Sequence, residues 1–240
     1  MFNVRATDAA GNVSAVAGRT VQIGPADTVA PAVTGRAPAS AATGVGTGTN
    51  VTATFSEFVQ GVSGSTFTLK NAAGVTVPAA VTYDQAARRA TLDPTAPLTP
   101  STTYTATLTG GTATIRDLGN RPLASNTWRF TTSSAPTVTS RAPGINSTGA
   151  LRTANVTATF SKPVNGVSTA TFTLKNAATG AAVTATVTRN GTTNQWILNP
   201  AATLAAGTRY TAATGGPAAV RDVAGTPLAS TAWSFTTGTR

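Results

Sequence analysis

The chain has 240 residues, 40% of them hydrophobic but only 10% charged, with 23 Gly, 14 Pro and a formal net charge of +10. It contains no Cys and no His, which excludes disulfides, thiolate nucleophiles and most zinc sites, and removes the usual general base and the commonest metal ligand. No apolar run approaches the roughly 20 residues of a membrane span, so no transmembrane segment is predicted, and no signal-peptide apolar core stands at the N-terminus.

In chain order, residues 1–24 read as a hairpin: Phe2, Val4 and Ala6 alternate, Asp8-Ala9-Ala10-Gly11-Asn12 makes a turn, and Thr20-Val21-Gln22-Ile23 returns as a strand. A lone hairpin is marginal in water. It is therefore expected to close a further domain whose other strands precede Met1. Residues 25–31, rich in ladder-breaking Pro and Gly, read as a linker.

Residues 32–133 then alternate through seven candidate strands, at Val33; Val51, Ala53, Phe55; Phe67, Leu69; Val77, Ala79, Val81, Tyr83; Ala90, Leu92; Tyr104, Ala106, Leu108; and Trp128, Phe130. Helical periodicity is absent. Seven short strands separated by turn signals predict an all-β fold, a β-sandwich with Greek-key connections.

Residues 134–240 replay this pattern. Asn50-Val51-Thr52-Ala53-Thr54-Phe55-Ser56 recurs letter for letter at Asn155-Val156-Thr157-Ala158-Thr159-Phe160-Ser161, with Val, Ala and Phe on one face and Thr on the other. Asn190-Gly191 gives a two-residue hairpin signal. Only Ser133-Ser134-Ala135-Pro136 separates the repeats, too short and stiff a link for free tumbling, so a semi-rigid rod of tandem sandwiches is expected.

These residues carry a family resemblance. Ala-Pro-x-Val-Thr, Val-Thr-Ala-Thr-Phe-Ser followed by Glu57 or by Lys162-Pro163, Phe-Thr-Leu, Tyr-Thr-Ala, Arg-Asp, Pro-Leu-Ala-Ser and the closing Trp-x-Phe-Thr-Thr resemble the S-layer-type bacterial Ig-like domain over residues 30 to 237. The opening hairpin resembles the end of another bacterial Ig-like or fibronectin-like module. The resemblance implies an exported protein, extracellular or at the cell surface, in which such modules serve as stalks, S-layer blocks, adhesin segments or accessories of secreted enzymes. It implies no activity. Periplasmic copper-binding sandwiches share the strand pattern but bind copper through His, so that function does not transfer.

Candidate chemistry is sparse. Asp117-Leu118-Gly119-Asn120 and Asp222-Val223-Ala224-Gly225 hold the carboxylates that occupy equivalent places in both repeats. Calcium wants about six to eight oxygens, whereas one Asp stands nearly alone in each loop and Asn120 becomes Gly225. The pattern favours a turn whose Asp bonds backbone N–H groups, with Arg116 or Arg221 as a charge partner. Asp8 and Asn12 carry the same reading. Glu57, Asp84 and Asp93 answer to Lys162, an unaligned hairpin and Asn199, and Asp222 is the one acid of the second repeat, so a paired-carboxylate site is not expected. Ser161-Lys162 are consecutive on a strand and point apart. The sequence thus predicts no catalytic residue, no metal ligand, no cofactor and no enzyme.

The basic residues are scattered, apart from Arg88-Arg89 at a hairpin tip, and lack interleaved aromatics, which argues against nucleic acid. Expected partners are other domains of the same chain, and beyond them cell-envelope polymers or the glycans of a host or neighbouring cell. Trp128 and Trp233 fall in phase with Phe130 and Phe235, and Trp196 with Leu198, so all three are expected in the core rather than as sugar platforms. The role predicted is a non-catalytic spacer or adhesive stalk; the alternative is a carbohydrate- or envelope-polymer-binding accessory module.

Overall fold

The computed structural model describes residues 2–13, 17–19, 28–215 and 220–240. Among these there is no helix long and apolar enough to cross a membrane.

The first repeat folds into two facing four-stranded sheets. One orders Val33–Ala37, Val51–Phe55, Arg89–Pro94 and Ala79–Asp84; the other orders Ala42–Val45, Asn126–Thr132, Thr103–Leu108 and Phe67–Lys70. The chain crosses between sheets after Ala37, Val45, Phe55, Lys70 and Pro94, giving the strand order of an Ig-type sandwich. Thr alternates with apolar residues along these strands, so each sheet keeps one dry and one wet face. Val51, Ala53 and Phe55 of the duplicated motif are at most 1% exposed, while Thr52 and Thr54 lie on the other face.

The second repeat matches it. Val138–Ala142, Val156–Phe160, Gln195–Pro200 and Ala185–Arg189 form one sheet; Phe172–Asn176, Arg209–Thr214 and Thr231–Thr236 form the other. Phe55, Phe130, Phe160, Phe235, Trp128, Trp233, Tyr104 and Tyr210 are all buried. Each indole is held at its ring nitrogen: Trp128 Nε1 donates to the Pro38 carbonyl at 3.0 Å and Trp233 Nε1 to that of Pro143 at 3.0 Å. Arg36 and Arg141 lie over the two rings, which shields the apolar faces from water. The Tyr104 and Tyr210 hydroxyls accept the N–H of Thr99 and Ala205, each five residues upstream, a corner that ties the preceding loop to the strand.

Several features depart from the sequence reading. The strand Ala42–Val45 was not expected; it runs parallel to the closing strand because the chain switches sheets after Pro38. Short pairs form between Val59–Gln60 and Arg116–Asp117, and between Val164–Asn165 and Arg221–Asp222. Val77 precedes its strand, its N–H going to the Leu69 carbonyl. Asn190-Gly191 does not make a two-residue turn: the hairpin loop runs from 190 to 194, closed by Asn190 N–H to the Gln195 carbonyl, and only Gly191 has positive φ. The Thr193 hydroxyl, donating to the Asn190 carbonyl at 2.7 Å, stabilises the longer loop. Trp196 is half-buried, packed on the rim of the core.

In the opening segment, Phe2–Val4 pairs with Ala17–Arg19. The return strand expected at Thr20-Val21-Gln22-Ile23, like residues 25–27 of the linker, lies outside the described residues.

Candidate functional site

Among the described residues the same five-residue Asp loop occurs three times. In each, the Asp N–H donates to the carbonyl four residues on and its own carbonyl accepts the N–H three residues on: Asp8 with Asn12 and Gly11, Asp117 with Arg121 and Asn120, Asp222 with Thr226 and Gly225. The carboxylate Oδ1 then accepts the N–H of Asn12, Arg121 or Thr226, at 2.9, 2.7 and 2.8 Å. This is the turn chemistry expected of Asp beside Gly and Asn. The change from Asn120 to Gly225 has a backbone cause: both have left-handed φ (64° and 80°), as does Gly11 (87°), and Gly and Asn are the residues that tolerate it.

The loops differ in what reaches the second oxygen. At Asp8, Oδ2 accepts Asn12 Nδ2, and this bond, with backbone N–H groups, holds the exposed carboxyl below its usual range. Asp117 is 1% exposed, and its Oδ2 has no hydrogen-bond partner. Asp222, 3% exposed, has its Oδ2 engaged by the Ser133 hydroxyl at 3.0 Å and by Lys162 Nζ at 3.3 Å. Lys162 Nζ also donates to the Ser134 carbonyl at 2.7 Å, Ser134 Oγ at 3.0 Å and Ser133 Oγ at 3.1 Å. Ser133 and Ser134 are the link between the sandwiches. One ammonium and one buried carboxylate of the second sandwich thus hold the link at consecutive residues.

A third contact completes this joint. Gly46, after the sheet-switching strand of the first sandwich, lies against the Ala224 carbonyl in the Asp222 loop, so closely that a Cβ at Gly46 would overlap the oxygen. Ser133 N–H donates to the Val45 carbonyl at 2.8 Å, binding the link to the first sandwich as well.

Burial alone would raise the Asp222 carboxyl, but the Thr226 N–H, the Ser133 hydroxyl and Lys162 outweigh it and bring it below its ordinary value of 3.8. A depressed native value means the ionised form is the one the fold favours. The clamp therefore contributes fully above about pH 3.8 and fades as pH falls through the lower native value.

Two matches to the bacterial Ig-like domain, at residues 27–132 and 133–237, meet at this link. The chain belongs to the bacterial Ig-like domain family. No curated protein matches the chain. Among solved structures, the N-terminal part of the bacterial S-layer protein SbsC is 14% identical over 85% of this chain and 44% of its own, with a TM-score of 0.34. A chimeric titin Z1Z2 is 13% identical over 88% and 97%, with a TM-score of 0.32. L,D-transpeptidase 3 from Mycobacterium tuberculosis is 12% identical over 54% and 44%, with a TM-score of 0.28. The chain thus spans less than half the length of the SbsC and transpeptidase structures.

The two Ig-like domains place the other candidate residues apart. Trp128 and Trp233 are 2% and 3% exposed and offer no sugar platform. Ser161 Oγ accepts the Thr137 N–H while its neighbour Lys162 enters the joint. Lys162 does meet Ser133, but that hydroxyl is buried and donates to Asp222. Arg88 closes a hairpin tip at φ 51° and donates to the Ser56 carbonyl. Asp84 caps the same tip through the Ala87 N–H. Sequence neighbours pointed to Arg221 as the partner of Asp222, yet its NH1 goes to the Gly225 carbonyl, and the ion pair is made by Lys162, 60 residues away. The signal that could have found it is the charge swap at equivalent positions, Glu57 against Lys162, facing the only acid of the second repeat.

Proposed function

We propose that the chain is a non-catalytic spacer or stalk segment of an exported bacterial protein, located at the cell surface or outside the cell, in which the two Ig-like domains are held as one semi-rigid unit. The joint carries this reading. A flexible tether needs no buried charge, whereas here Asp222, Lys162, Ser133, Ser134 and Gly46 are committed to fixing a link of a few residues. An ion pair with a buried carboxylate and a part-exposed ammonium is best attested as a device that specifies one arrangement. The Asp8 loop repeats the Asp117 and Asp222 geometry, which supports reading residues 1–24 as the closing hairpin of a further such domain, so that the partners of each domain are its neighbours in the chain.

Small-angle scattering tests this directly. At neutral pH the native chain should scatter as one extended particle of fixed shape. Lys162→Ala, or a pH well below 3.8 at which the sandwiches remain folded, should shift the profile toward two loosely tethered bodies. A native profile already that of freely tethered bodies overturns the proposal.

A further inference from the structure

We propose that the outer face of the first domain binds a linear polysaccharide bearing a carboxylate on every second sugar, laid across the strands between Lys70 and Arg129. The inference stands apart from the spacer reading, since a fixed joint neither requires nor supplies a ligand. Between the loop after Phe67–Lys70 and the strands Thr103–Leu108 and Asn126–Thr132 lies a groove of about 510 Å³, lined by Lys70, Asn71, Thr103, Thr105 and Arg129 among others. Lys70 pairs in register with Thr105, and Thr105 with Arg129, so the three form one row perpendicular to the strands. The backbone positions that carry the two cations are two strand spacings apart, about 9.5 Å.

The chemistry of the row selects the ligand. Arg binds a carboxylate through two parallel N–H groups and Lys acts as a point charge, while the Thr hydroxyls between them match sugar hydroxyls. Carboxylates on alternate sugars of an extended chain recur at about the spacing of the row. None of the three strands that form the face carries an Asp or Glu, and among the described residues no carboxylate pairs with Lys70 or Arg129. The face presents no aromatic ring on which a base could stack, which disfavours single-stranded nucleic acid. The second domain supplies an internal control. Its row is Lys175, Thr211 and Ser234, with Ser234 where Arg129 stands, so the lysine has no second cation in its own row; Arg209, in the place of Thr103, is turned to the Asn146 side-chain oxygen at 3.0 Å.

The test is titration of the full chain with hyaluronate at low salt, with dextran and inorganic polyphosphate alongside. Hyaluronate should bind and dextran should not. Lys70→Gln and Arg129→Gln should each weaken binding about three- to fivefold, the range of an exposed ion pair, and both together more. Lys175→Gln removes the same charge from the unpaired row and should change affinity less than twofold. Equal loss on Lys175→Gln would show diffuse charge attraction and overturn the proposal. So would tighter binding of polyphosphate, or no hyaluronate binding by a chain whose thermal melt shows it folded.

Discussion

Phe160→Ala lowers the stability of the second Ig-like domain by about 3–5 kcal/mol. Phe160 is 2% exposed and ends the duplicated strand on its dry side, opposite Val138. Truncation removes the ring's burial and leaves a void that close-packed neighbours in two sheets cannot collapse to fill. A domain of this size has about 5–15 kcal/mol in total, so the loss is a large share of the whole. Urea melts followed by tryptophan fluorescence read it out, since Trp196 and Trp233 report on this domain. Val223→Ala, at a position 77% exposed, should change stability by less than about 0.5 kcal/mol. Coincident melts of native protein and Phe160→Ala would show that this strand does not face the core.

Gly46→Leu opens the joint while leaving both sandwiches folded. The counterpart of Gly46 in the second domain is Leu151, which is 72% exposed, so the position tolerates leucine when nothing docks against it. At Gly46 the Ala224 carbonyl occupies the place of the Cβ, and the surfaces must part until carbon and oxygen stand about 3.5 Å apart. That displacement carries the Asp222 loop away from the link and breaks the Ser133 and Lys162 contacts together. The chain has no Cys, so spin labels at V75C and T192C, both exposed and one in each domain, report the arrangement cleanly. The variant should broaden their distance distribution and shift its maximum. An unchanged distribution would mean that Gly46 does not set the joint.

The sandwiches were legible because local pattern and global burial agree. Val51, Ala53 and Phe55 alternate with Thr, and the duplicated copy forces the same assignment twice. What was not legible depends on backbone geometry or on distant partners. The strand Ala42–Val45, from Ala-Thr-Gly-Val, has weak β-propensity and exists because the closing strand accepts it. The Asn190 loop took a longer form because a threonine hydroxyl could bond across it. The Asp loops were readable as turns, since Asp and Gly act within five residues. The joint was not: Lys162 reads as an ordinary surface lysine until the fold brings it to Asp222 and Ser133, and Gly46 as one turn glycine among many.

That the two domains are held in one arrangement is tested most directly by the distance between labels at V75C and T192C in otherwise native protein. One narrow peak at neutral pH, lost in Lys162→Ala, is the result predicted. A broad distribution in the native chain, unaltered by Lys162→Ala, would contradict it and leave the link a simple tether.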